Sequence, residues 1–409
     1  MSSIHHLPSI THVPTLEETD IPPSQLESAA PAHNNPTSGI PWYLWCAALA
    51  VTSNLVGAHW DISWHRSIGR DTFWTPAHIA IQMCGVLAGI ACGYLILNTT
   101  FRRPAEFVAS SVSVFGFRGP FGAFLAAWGG IAMLTSAPFD NWWHNAYGLD
   151  VKIVSPPHTL LTLGAFAIEL GALFLITPAM NRSIGRQFER LQQMLLYIGG
   201  LLLVHIMVFL MEFIGDTHLH SSGPYIAVSF GVPALLAMLW QASRNRWAAT
   251  WSSSIYMFFL CGAVWILPLF SAEPKLGPVY QPITHFVPPA FPLLVIVPAF
   301  FVDLFLQRTQ SWKIWLRALI VGPLFMLALV AVEWPFASFL MTPAAHNQFF
   351  AAGSVSFSTQ PQADSVLRRF TSPEHGLVFW HGIGVAMLFA ALSAWMGLGL
   401  GKWMRKVQR

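Results

Sequence analysis

DISWHRSIGRDTFWTPAHI, Asp61 to Ile79, joins two long apolar runs and carries two aspartates, two arginines and two histidines. The 409-residue chain around it is 54% apolar and only 10% charged, where a soluble domain carries about 25% charged residues. The flanking runs, near 41–60 and 77–98, approach the roughly 20 residues a helix needs to cross a bilayer. The stretch therefore reads as the turn between one membrane helix and the next. Its reading decides the fold class: an all-α polytopic membrane protein.

Extending that pattern along the chain predicts ten spans, near 41–60, 77–98, 119–139, 157–179, 192–214, 224–241, 253–271, 286–306, 314–334 and 376–400. Residues 1–40 are rich in Pro, Ser, Thr and His and lack a basic start followed by an apolar core. They read as a disordered tail, not a signal peptide. The organisation expected is this tail, a membrane domain over 41–215, and a second membrane region over 216–409. The segment 335–375, only partly apolar, is expected to fold over one surface.

Placing the N-terminus in the cytoplasm puts 15 of the 21 Lys and Arg residues on inner segments. The positive-inside rule then predicts both termini cytoplasmic, as in a bacterial inner membrane. The basic residues form no stripe, which argues against nucleic acid. Cys46, Cys84, Cys92 and Cys261 lie in apolar runs without metal-ligand or redox spacing, and read as small core residues.

The histidines sort the opposite way. Of 16, four lie in the tail, His205 falls mid-span, and the other eleven fall in outer loops or at outer helix ends. The chemistry is therefore expected near the periplasmic side.

The opening stretch also has a counterpart. Asp61-x3-His65-x3-Gly69-x-Asp71 leads to Thr75-Pro76-x-His78, and Asp140-x3-His144-x3-Gly148-x-Asp150 leads to Ser155-Pro156-x-His158. Residues i and i+4 share a helix face, so each Asp and its first His point at one spot. Ser or Thr followed by Pro starts the next helix and sets the second His on its first turn. The pattern reads as a repeated two-helix unit. Two imidazoles and a carboxylate suit copper, zinc or iron and leave coordination positions open. The plainer alternative is interfacial hydrogen bonding, with Asp61 paired to Arg66 or Arg70. The twofold recurrence favours metal, because ionisable groups near hydrocarbon are costly.

At these residues the chain resembles the membrane-embedded C subunit of the particulate methane and ammonia monooxygenases, a copper membrane monooxygenase family. The resemblance covers about residues 40–215. It implies that Asp61, His65 and His78 bind copper, with Trp64, Arg70, Asp71, Thr72, Thr75 and Pro76 as their context. It likewise implies a neighbouring copper site at His144 and His158, following Trp142, where Asp140 stands in place of the family's Asn. By this resemblance the chain would act with A-like and B-like subunits, activating O2 to oxidise a small apolar substrate. No copper-binding soluble domain of the B-subunit kind is present in this sequence.

Arg70 and Asp71 read as groups that orient a ligand imidazole. Glu212, Asp216, His218 and His220 form a further candidate metal or copper-entry cluster, or else a solvated loop. Glu169 and His205, both mid-span, suggest a proton path or a mutual hydrogen bond. His285, His375 and His381 lack a preceding Asp-x3-His and read as structural. Three functions stay open on these residues: a copper-dependent monooxygenase or its metal-bearing subunit; a copper or zinc transport or handling protein; and a chain that stabilises a complex around an inert metal site. The poverty of ligands deep in the spans weighs against transport.

Overall fold

The computed structural model describes residues 39–69, 74–108, 111–148, 155–214, 219–360 and 373–408. The expected tail lies outside the described residues except for its last two. Ile40–Arg409 forms one compact body, built almost wholly from helices. In chain order these are α1 Trp42–Ser67, α2 Pro76–Phe101, the short α3 Ala105–Val108, α4 Phe121–Tyr147, α5 Pro156–Asn181, α6 Gly185–Ile214 and α7 Ser222–Ser243. They continue with α8 Ala248–Ile266, α9 Ile296–Arg308, α10 Ile314–Leu340 and α11 Gly376–Met404. A small antiparallel hairpin, β1 Val112–Val114 with β2 Phe117–Gly119, sits between α3 and α4.

Eight of the helices, α2, α4 to α8, α10 and α11, are long and apolar enough to cross a membrane. Their outward faces carry large apolar side chains such as Ile90, Leu97, Phe258 and Leu388, as hydrocarbon contact requires. The protein is a helical membrane protein.

Two of the ten expected spans fall short of that criterion. The first, α1, has the length at 26 residues but carries Asn54 and His59 within its apolar stretch. The eighth, expected at 286–306, is helical only over the 13 residues of α9. That is about 20 Å at 1.5 Å per residue, against a hydrocarbon core of roughly 30 Å. Pro288, Pro289 and Pro292 explain the loss, because each lacks an N–H and crowds the preceding turn. Conversely, α10 runs through Pro335 to Leu340, so the connection expected from residue 335 starts only after that helix ends.

Sequential helices pack as antiparallel pairs, α1 with α2 and α4 with α5, and α2 packs on α4. The α4–α5 contact is backbone on backbone. A Cβ on Gly129 would lie 2.5 Å from the Gly164 carbonyl oxygen, and one on Gly122 would lie 2.4 Å from that of Gly171. Small residues seven apart on both helices permit this approach, the usual device of helix pairs in lipid. In the second half α7 packs on α11, and α10 on α11 and α9.

Candidate metal centres

The turn from α1 to α2 gathers Asp61, His65 and His78, and the turn from α4 to α5 gathers Asp140, His144 and His158. In each trio one ligand atom per residue lies within 4.8 Å of the others. In the first, His78 Nε2 is 3.2 Å from Asp61 Oδ1 and His65 Nε2 is 3.7 Å from Oδ2. In the second, the Nε2 atoms of His144 and His158 lie 3.2 and 3.3 Å from one oxygen, Asp140 Oδ1. Donors bound to a common ion at about 2.0–2.2 Å stand roughly 3–3.5 Å apart at right or tetrahedral angles. The donor sets thus fit a first-row transition metal, with three protein ligands and open positions.

Local rules build both trios. Asp and the first His lie one turn apart near the end of the incoming helix. That helix stops at a glycine in positive φ, Gly69 at 82° and Gly148 at 90°, a region L side chains rarely adopt. The outgoing helix begins at Thr75 or Ser155 with proline in its first turn. The cap hydroxyl accepts the backbone N–H of the second ligand itself: Thr75 Oγ1 from His78 at 3.2 Å, Ser155 Oγ from His158 at 3.4 Å. Capping therefore fixes the ligand's own backbone.

The two centres differ in enclosure and support. Side-chain exposure is 35% at His65 but 3% at His144, so the second centre is the better shielded from water. His144 Nδ1 lies 3.1 Å from the Gly148 carbonyl oxygen. A carbonyl only accepts, so Nδ1 carries the hydrogen and Nε2 presents its lone pair to the cluster, the arrangement metal-bound imidazoles favour. The centres are also neighbours, since His158 of the second acts electrostatically on Asp61 of the first.

The first centre is braced instead by distant chain. Ser63 Oγ donates to the Val287 carbonyl at 2.7 Å, and the Val287 N–H returns to Ser67 Oγ at 2.7 Å. Arg66 donates to the carbonyls of Pro288 at 2.8 Å and Ser354 at 3.1 Å. Phe357 N–H bonds the Arg66 carbonyl at 3.1 Å, and Lys275 N–H that of Ile68 at 2.9 Å. The extended segment before α9 and the loop after α10 thus wrap the end of α1. Arg66, weighed from sequence as a partner of Asp61, donates to these backbone carbonyls. Nothing in the sequence near Ser63 signalled the clamp, because its partners lie more than two hundred residues away.

The remaining candidates distribute as follows. Arg70, Asp71, Asp216 and His218 lie outside the described residues, as does the side chain of Glu212. His220 Nε2 lies 3.2 Å from the Trp334 carbonyl and 3.0 Å from Ser338 Oγ, both on α10. Glu169 and His205 meet inside the bundle, with His205 Nδ1 2.9 and 3.0 Å from the two carboxylate oxygens. Phe166 stacks on the imidazole at 4.1 Å. His285 Nδ1 sits 2.9 Å from its neighbour Thr284 Oγ1.

Two buried acids escaped the sequence reading. Asp303 of α9 accepts the backbone N–H groups of Ala249 and Thr250 at 3.1 and 2.8 Å, and the Thr250 hydroxyl at 2.7 Å. It caps α8 from a neighbouring helix. Glu333 of α10 accepts the backbone N–H of Leu294. A signal existed for Glu333: it is the one acid in the 27 residues of α10, and acids in spans usually have a task.

Fold and site together define a helical membrane protein with two adjacent Asp-His-His centres. No protein-family model, no curated protein and no solved structure matches the chain.

Proposed function

We propose that the chain is a copper-binding membrane protein resembling the metal-bearing subunit of a copper-dependent membrane monooxygenase. The observation that carries this reading is the convergence of Asp61, His65 and His78, and of Asp140, His144 and His158, into two three-donor sets. The support for copper over zinc or iron is the resemblance carried by the residues from Asp61 to His78.

Copper bound there would supply the one-electron chemistry that O2 activation needs. The chain supplies the rest. Each aspartate would offset the charge of a bound ion, and with its pair of imidazoles would hold that ion by three protein ligands in all, leaving room for a small molecule. Trp64 packs against Phe286 and near Trp60 on the same end of α1 that carries Asp61 and His65. A substrate that partitions into lipid would arrive where Trp74, just before α2, and Ile79 and Met83 of α2 lie exposed beside His78. The reading places both centres toward the periplasmic side of a bacterial inner membrane, termini inside, with A-like and B-like subunits as partners.

The test is metal analysis with EPR on the purified full-length protein. The expected result is two copper equivalents per chain, with His65→Ala and His144→Ala each removing one. Copper-dependent O2 consumption with a light hydrocarbon, in membranes containing the partner subunits, tests the enzymatic part. Unchanged metal content in the double variant overturns the reading at its base. Copper uptake into vesicles without O2 consumption turns it toward metal handling.

A further inference from the structure

The second half of the chain contains a group that the metal centres do not use. Glu333 is fully buried in α10. One carboxylate oxygen accepts the Leu294 N–H. The other, Oε2, is buried without a hydrogen-bond partner, and no ion pair involves Glu333 among the described residues.

Asp303 provides the contrast within the same bundle. Its carboxylate also serves a helix start, but three donors satisfy both oxygens. For holding the Leu294 N–H, a glutamine carbonyl would serve as well and bury no ionisable group. An acid with an idle oxygen in hydrocarbon is costly in either role, so capping does not account for it.

The surroundings are those of a break in the membrane fold. Leu293 and Leu294 end an extended segment and α9 begins at Ile296, so non-helical backbone lies beside Glu333. Such breaks within membrane proteins gather ion-exchanging groups, because free backbone polar atoms are available there. Two tyrosines complete the setting. Tyr256 of α8 accepts the Leu293 N–H at 3.1 Å, and Tyr225 of α7 donates to the Leu219 carbonyl at 2.9 Å. Both interact electrostatically with Glu333.

The other ionisable groups on the elements packed around α10 are engaged or turned away. Asp303 on α9 caps α8, Arg308 on α9 is exposed, His381 and Lys402 on α11 are exposed, and His220 before α7 engages the Trp334 carbonyl and Ser338 Oγ of α10. Cys261 of α8 acts on Tyr256, and Glu374 before α11 binds the Ser222 N–H and hydroxyl at 2.9 and 2.7 Å. On α10 itself, Arg317 lies four turns away along the helix.

We propose that Glu333 is a membrane-embedded proton-exchange site, distinct from both metal centres, whose carboxyl takes up and releases one H+ at the start of α9. The exchange adds a proton to a carboxylate oxygen or removes it, with no other bond made or broken. As the anion, the carboxylate holds the Leu294 N–H through a charge-assisted bond; as the acid, it holds it through a weaker neutral one. Protonation therefore loosens the junction between the extended segment and α9. That segment also carries Val287 and Pro288, which clamp the end of α1.

Infrared difference spectroscopy on the full-length protein in lipid nanodiscs, titrated with acid and base, tests this. The expected result is a protonated-carboxyl C=O band that shifts in D2O, vanishes in one transition as pH rises, and is lost in Glu333→Gln. It should persist in Glu169→Gln, which separates it from the other buried acid. If Glu333→Gln does not fold, Glu333→Asp should move the midpoint of the same transition. A band unaffected by either Glu333 substitution, or one that does not respond to pH, overturns the proposal. A band abolished by Na+ at constant pH overturns it too, in favour of a cation site. Metal content is expected to stay unchanged in the Glu333 variants.

Discussion

His144 and Gly148 are joined twice: the Gly148 N–H bonds the His144 carbonyl at 3.0 Å, and the His144 imidazole bonds the Gly148 carbonyl at 3.1 Å. The residue that ends α4 thereby orients a side chain of the second centre. Gly148 holds φ 90° and ψ 179°, a combination essentially reserved to glycine. Gly148→Ala is expected to cost about 1–3 kcal/mol and, under the proposed copper reading, to weaken metal binding at Asp140, His144 and His158 while leaving binding at Asp61, His65 and His78 unchanged. Metal content and thermal unfolding in detergent check both parts.

The caps make a paired prediction. Thr75→Ala and Ser155→Ala each remove a hydroxyl that holds a ligand histidine's backbone, at a cost of about 1 kcal/mol. Each should weaken metal binding at its own centre only, and Thr75→Ser should restore the first. Chelator competition on the single variants resolves the two centres.

The closely packed α4 and α5 carry all three residues of the second cluster, Asp140 and His144 on α4 and His158 on α5. Gly129→Val puts side-chain atoms where α5 backbone already lies, and overpacking of this kind costs about 1–3 kcal/mol. The expected outcome is a lower unfolding temperature with loss of metal at Asp140, His144 and His158. Gly89→Ala, on α2 with open space where its Cβ would sit, serves as the tolerated control. Equal damage from both substitutions would remove close α4–α5 contact as the explanation.

Asp303 should behave as a structural acid. Asp303→Ala leaves the Ala249 and Thr250 N–H groups without their acceptor, each worth about 1–3 kcal/mol when stranded in the interior. Asp303→Asn keeps one acceptor and should lose roughly half as much. Unfolding measurements decide the order, and metal content should be normal wherever the protein folds.

Much of this molecule was readable from residue order alone, for particular reasons. Both Asp-His-His sets are local, each within one helix end, one turn and the next helix start. Spacing, cap residues and glycines therefore specify them without knowledge of the rest of the fold. The membrane class follows as directly, because composition over twenty-residue windows reflects the solvent a helix must face. The eighth span was misjudged since an apolar run looks alike whether it is helical or extended; Pro288, Pro289 and Pro292 carried the correcting signal.

The sequence suffices for what short-range chemistry controls: helices for a bilayer, and three donors at each of two turns. It suggests the mutual hydrogen bond of Glu169 and His205, but it does not reach the clamp of Ser63, Arg66 and Ser67 onto residues 287, 288 and 354. It also leaves open which buried acid is satisfied and which is not. Asp303 and Glu333 look alike in sequence, each a single acid in an apolar helix. Their difference lies in how many donors neighbouring helices bring to each carboxylate, and that number exists only once the bundle has assembled.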